Sequence, residues 1–336
     1  MKRNIGLWAT AALLFCSCAN DVSDSVTQPI DESQYTTFMA RDGGLTRNPH
    51  IWDNNNNTWT PHWQQDDRLW LHVSENDRVG SIGNNIAAGA VVQQAKFYFP
   101  AGYNNATYGV HYLGHSSHTD GRYVTINPSQ WQGYPYNNDH IRYVGDCAFG
   151  VAYRNAAKAG VYDVKFTRLP AYLCIMPYCS DESIRNGAML KMVRIYSNNA
   201  ITGKFDIAMH GLDTSFGSDL GTYIESGLGV GNTGFPVNNA AINKPLNAIF
   251  IVLVPGIHNL VLEMNITTSK GDFRAVRVLG NYDYKPNTMT NIVADVANYY
   301  NGNNENIGAG GSVATAKKGT GVEVETDKQW DGSFNQ

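Results

Sequence analysis

The residue types that could do chemistry gather in "HYLGHSSHTD", which holds His111, His115, His118 and Asp120. Imidazoles four residues apart share a metal ion when a helix puts them on one face. Gly114 and the two serines argue for a loop instead, and no glutamate stands where a zinc protease needs its base. Solvated loop histidines are the expectation, with no metal bound. Cys174 and Cys179 lack the Cys-x-x-Cys spacing of a redox pair, and Cys174 falls in an apolar strand pattern that suits a buried thiol. Asp66 and Asp67 are adjacent, so on a strand they would point to opposite faces, which argues against paired acid-base work. No nucleophile elbow, phosphate loop or dinucleotide fingerprint is present. The chain is therefore not expected to be an enzyme or to carry a cofactor.

Aromatic rings are the other chemical resource. Trp52, Trp59, Trp63, Trp131, Tyr134 and Tyr136 stand in loop-like sequence beside Asn and Gln. Flat rings there could stack on sugars while amides bond hydroxyls, which supports a glycan-binding surface protein as one reading. The plainer reading is that the rings cap a core. The two diverge on whether three or more rings share one exposed platform.

The elements that must position these residues begin with an export signal. Lys2 and Arg3 precede an apolar run from Ile5 to Phe15, too short for a comfortable membrane span. The run ends in "LFCSC", similar to a bacterial lipoprotein box, with residues 1–17 removed and Cys18 lipidated. Residues 18–34 read as a polar tether. Three cysteines follow Cys18, an odd number that does not suggest a disulfide framework, so stability must come from a core. Charged residues make up 16% of the chain and the net charge is −4, which argues against binding nucleic acid or acidic lipid.

Apolar and polar residues alternate along most of the chain. "DRLWLHVS", "AKFYFPA", "RYVTINP", "VYDVKF", "KMVRIYS", "GKFDIAM" and "NLVLEMNIT" all have a strand period. "NAIFIVLVPG" is apolar on both faces and suits a central strand. Clusters rich in Asn, Gly, Pro and Ser separate these runs and supply turns. The pattern predicts an all-β chain of sandwiches. The small-residue joint "NAAKAG" divides it into two strand-rich domains, 35–158 and 159–300. A Gly- and Asn-rich arm, 301–336, carries a last short strand.

This order resembles the fimbrillin family of surface lipoproteins. After the lipoprotein box, "YTTFMARDGGLTR" resembles the family's first strand and its following Thr-Arg, and "WTPHWQQDDRLWLHVS" the next unit. "VYDVKFTRLPAYLCIMPY" is similar to the strand opening the second domain, and "MVRIYSNNAITGKFDI" to the paired strands after it. "YDYKPNTMTNIVADV" resembles the final turn and core strand, with Asn287 in place of the usual glycine and Met289 in place of an aromatic. The resemblance implies two tandem Greek-key-like, transthyretin-like sandwiches in an outer-membrane lipoprotein that builds or decorates fimbriae. It further implies that the first strand, with Tyr35, Thr37, Phe38 and Met39, is cut away after Arg47 or Arg41. A neighbouring copy or related subunit would then fill the groove with a C-terminal segment, here Val322, Val324 and Trp330. The simpler alternatives are an ordinary edge strand with solvated arginines, and a C-terminal strand that pairs within its own chain.

Overall fold

The structure is a computed structural model that describes residues 31–40, 50–53, 58–61, 63–74, 77–115, 119–299 and 324–326. It is all-β. In chain order the strands are β1 (Tyr35–Ala40), β2 (His50–Asp53), β3 (Thr58–Pro61), β4 (Leu69–His72), β5 (Arg78–Gly80) and β6 (Gly83–Asn84). Next come β7 (Ala95–Pro100), β8 (Thr107–Tyr112), β9 (Tyr123–Ile126), the one-turn helix α1 (Ile141–Val144), β10 (Ala148–Arg154) and β11 (Val161–Arg168). They are followed by β12 (Ala171–Tyr178), β13 (Met189–Ser197), β14 (Thr202–Asp206), β15 (Ser218–Gly221), β16 (Tyr223–Gly227) and β17 (Phe235–Pro236). The last are β18 (Ile249–Leu253), β19 (Gly256–Thr268), β20 (Gly271–Tyr284), β21 (Met289–Asp295) and β22 (Val324–Thr326).

The N-terminal sheet has eight strands in the order β5-β4-β8-β10-β11-β1-β7-β6. Its two end strands are almost consecutive in sequence. Between them, the Ser81 N–H donates to Leu69 of β4 and the Ile82 N–H to Tyr98 of β7. The sheet therefore curls until its ends meet, and a single sheet encloses its own core. Alternate residues supply that core: Leu69 and Leu71, Phe97 and Phe99, Tyr108, Val110 and Tyr112, and Tyr162, Val164 and Phe166.

The C-terminal half is a two-sheet sandwich. One sheet runs β18-β12-β21-β22 and the other β16-β13-β19-β20. Leu173, Ile175, Ile249, Ile251 and Ile292 face Val193, Ile195, Leu260, Leu262 and Met264 across the core. The first sheet is covered on its outer face as well, where Tyr172, Cys174, Phe250 and Val252 meet Val124, Ile126, Ile141 and Phe205. Burial on both faces explains why β12 and β18 are apolar throughout. It also corrects the placing of "IFIVL" as a central strand: β18 is the end strand of its sheet, and its second covered face accounts for the pattern.

The expected boundary at residues 158 and 159 moves. "NAAKAG" is the hairpin turn joining β10 to β11, with the Asn155 N–H bonded to Val161 and its amide to Asp163 at 2.6 Å. β11 pairs with β10 and β1 in the N-terminal sheet, so the crossover lies at Leu169–Pro170. Residues 123–147, expected in the first domain, supply β9 and α1 to the outer layer of the second half, where β9 pairs with β14. That shared layer also takes in Trp70 and Leu113, so the described residues from Glu32 onward pack as one compact unit. At the crossover the buried Arg168 guanidinium donates to Asp146 and to the Tyr172 hydroxyl, which itself donates to Asp146 at 2.5 Å. Among the described residues no helix is long and apolar enough to cross a membrane.

Candidate functional site

β1 is an interior strand, which corrects the edge-strand alternative. It runs antiparallel to β7, with Tyr35 opposite Pro100 and Ala40 opposite Ala95. It runs parallel to β11, with Thr37 opposite Val161 and Ala40 opposite Val164. Phe38 and Ala40 point into the curled sheet and are fully buried. The Phe38 ring stacks on Tyr162 at 4.8 Å and meets Phe99 edge-on at 4.8 Å. On the opposite face Thr37 is buried, while Tyr35 and Met39 are half-exposed and Tyr35 meets Tyr98 at 5.9 Å. Ahead of the strand, Glu32 pairs with Lys96 at 2.5 Å and accepts from the Tyr98 hydroxyl at 3.3 Å. The Lys96 hydrogen bond holds the Glu32 carboxyl below its ordinary range. Burial first, and Glu32 second, push the Tyr98 hydroxyl up to about 12. Removing β1 would open a lane between β7 and β11 with unpaired backbone on both walls and an aromatic pocket at its floor. Arg41, Arg47 and Cys18 lie outside the described residues.

At the other end of the chain, β22 pairs antiparallel with β21, Val324 facing Ile292 and Thr326 facing Thr290. In this single chain β22 therefore extends the sheet of its own sandwich. Val322 and Trp330 lie outside the described residues.

The candidate chemical groups are arranged differently from the expectation. Asp66 and Asp67 sit at a turn, and both carboxylates reach the buried Arg142, at 2.7 and 3.2 Å. A turn does not impose the alternation that a strand would. Arg142 also contacts Gln64 and His115. His115 and the two aspartates are close enough to share a cation, but the guanidinium already supplies the positive charge there. Burial works against the Asp66 charge, yet hydrogen bonding and attraction from Arg142 leave its pKa lowered. His111 lies on β8 beside His72 and Phe149 rather than in a loop, and burial pushes its pKa down to about 3. His118 is outside the described residues. Cys174 is buried, as its apolar strand pattern suggested, and so are Cys147 and Cys179.

The six-ring platform does not form as a unit. Trp63 is fully buried in the N-terminal core, edge-on to Phe97 and Tyr112 at 5.0 and 5.4 Å, because its bridge to Val92 turns it inward. Trp52 and Trp59 are opposite in the antiparallel register of β2 and β3, and their side chains lie outside the described residues. Trp131 and Tyr134 do share a groove, of about 470 Å³, joined there by Tyr143. Tyr136 is exposed two residues beyond Tyr134.

Two buried glutamines build that groove. The Gln130 amide donates to the Val252 carbonyl at 2.7 Å and accepts from the Val252 N–H at 2.8 Å. Gln132 repeats the arrangement with the Ala248 carbonyl and the Phe250 N–H, both at 2.9 Å. These side chains do for the open edge of β18 what a neighbouring strand would. Meanwhile the backbone of residues 128–132 pairs in parallel with β16 of the opposite sheet, so one segment bolts the flank of the sandwich. The sequence signal was the alternation in "SQWQ", but only the partner edge explains why its amides point inward. Tyr143 carried no such signal.

No family profile matches the chain, and no curated protein matches it. Among solved structures it is similar to a Bacteroides uniformis protein provisionally named for cell adhesion, with 13% identity and a TM-score of 0.45 over 90% of this chain and 100% of that one. It is also similar to a fimbrial protein from Bacteroides ovatus, at 10% identity and a TM-score of 0.37, covering 78% of this chain and 49% of that one. A third, a fimbrial assembly protein from Parabacteroides distasonis, shows 7% identity and a TM-score of 0.32 over 76% and 89%. At such identities and scores the functional argument rests on the chain's own geometry.

Proposed function

We propose that this chain is a fimbria-associated surface subunit, exported as a lipoprotein on Cys18, that acts by assembly or adhesion rather than catalysis. Its partners are copies of itself or related subunits. The observation that carries the reading is the position of β1: the first strand of the described chain fills an interior lane, and the segment after it contains Arg41 and Arg47. Cutting at either arginine would free the strand, and an incoming strand would satisfy the walls left by β7 and β11. Such a strand must run parallel to β11 and place an apolar residue over Tyr162. The alternating Val322 and Val324 of another copy, once β22 is released from that copy's own β21, with Trp330 beyond them, are the candidate donors.

The test is mass spectrometry of the mature N-terminus on protein taken from cell-surface filaments, alongside digestion of the purified chain by an arginine-specific protease. The expected result is an N-terminus at Asn48 or Asp42 in detergent-resistant ladders. An intact lipidated Cys18 on a chain that stays monomeric, or a purified chain that is cut at arginine and still stays monomeric, would overturn the strand-replacement reading.

A further inference from the structure

The groove between residues 129 and 144 combines features that neither core packing nor strand exchange accounts for. Trp131, Tyr134 and Tyr143 remain 46, 63 and 54% exposed around one concavity. Their orientations are fixed from behind. The Trp131 indole donates to the Gly229 carbonyl at 3.2 Å. A side chain at Gly133 would come within 2.9 Å of the indole ring, so glycine there lets the ring lie flat against the backbone. Tyr143 is held by the His115 ring at 4.9 Å and by the Arg142 guanidinium at 5.6 Å. Tyr136 adopts a φ of 47°, a left-handed conformation that a bulky residue takes at a cost, and still presents its ring to solvent.

Ser129, Asn137 and Asp139 interleave hydrogen-bonding groups with the rings, and neither lysine nor arginine lines the cavity. Rigid, separated aromatic faces match the C–H faces of sugar rings, and the hydroxyl, amide and carboxylate match their hydroxyls. The lack of a cation disfavours phosphate, sulfate or sialic acid. A peptide strand has no edge to join here, because the glutamine amides and β16 already occupy the backbone groups of this flank. A volume of about 470 Å³ falls within the usual range for small-ligand sites.

We propose that the groove framed by Trp131, Tyr134 and Tyr143, with Ser129, Asn137 and Asp139 between them, is a binding site for a neutral glycan. The site belongs to a single chain and is independent of strand replacement. The test is saturation-transfer NMR and calorimetry of the full chain with cello-, malto-, chito- and mannotetraose, with 3′-sialyllactose as the acidic control. At least one neutral tetrasaccharide is expected to bind, and Tyr134→Ala, Trp131→Ala and Asp139→Asn are each expected to weaken it tenfold or more. Tyr134 is exposed enough that its replacement leaves the melting temperature unchanged, which separates lost binding from lost folding. No binding by any neutral tetrasaccharide would overturn the proposal, as would binding that survives Tyr134→Ala and Trp131→Ala together. If those two changes instead abolish self-association seen by sedimentation while no sugar binds, the face is an interface between copies and the proposal fails.

Discussion

The two halves of the molecule complete their sheets in different ways. The N-terminal sheet takes its interior strand β1 from residues 35–40, ahead of all its other strands in sequence. The C-terminal sandwich closes with an internal segment, bolted to one sheet through glutamine amides and to the other through its backbone. An element that can be exchanged has to sit near a chain end, whereas one held from both sides in mid-chain is permanent. On the readings proposed above, the N-terminal lane is where assembly would act and the sandwich flank is the fixed mount of the glycan groove.

The comparison is tested most strongly at Phe38. Phe38→Ala empties the pocket formed with Tyr162 and Phe99 and should cost about 3–5 kcal/mol, read as a shift in the urea midpoint. A near-neutral result would mean that β1 contributes little to the core and would remove the case for an exchangeable strand. Gln130→Ala should cost less. It removes the two hydrogen bonds to Val252, each a net contribution of about 0.5–1.5 kcal/mol. Amide exchange at Val252 reports the loss directly, and unchanged protection there would show that the bolt is dispensable.

Acid should probe both halves, since His111 is buried in one and His140 half-buried in the other. Burial first lowers His111 in the N-terminal sheet to about 3 and His140 beside β18 to about 4, from an ordinary value of 6.5. The unfolded chain takes up these protons below about pH 6.5 while the folded chain refuses them until far lower. Stability is therefore retained above pH 6.5 and falls as the pH drops toward 3. Thermal melts across that window should show the loss, and His111→Phe and His140→Gln should each flatten part of the slope. The smallest effect belongs to Tyr134→Ala, within about 0.5 kcal/mol by chemical denaturation, because an exposed ring outside the core supports little of the fold.

Much of the architecture was legible because strand period survives in almost every run. Phe97 with Phe99 and Leu260 with Leu262 face inward as their spacing requires. What failed was adjacency, which local sequence does not encode. The small residues of "NAAKAG" mark a turn, but they serve equally for a hairpin within one sheet and a link between two domains. An apolar run such as "IFIVL" reports two covered faces and says nothing about neighbours at its edges. The candidate sites divide along the same line. "YTTFMA" is visible as a strand, whereas the groove depends on Gln130 and Gln132 meeting the edge of a strand more than a hundred residues away.

The two walls of the β1 lane also differ, one parallel and one antiparallel. Parallel and antiparallel ladders space their hydrogen bonds differently, so a strand entering backwards would meet the wrong pattern on both sides. Such a lane reads polarity as well as sequence. Copies joined through it would all point the same way, donor end to acceptor end. Contacts of this kind, unless their rotation happens to close a ring, give open polar filaments whose two tips are chemically distinct.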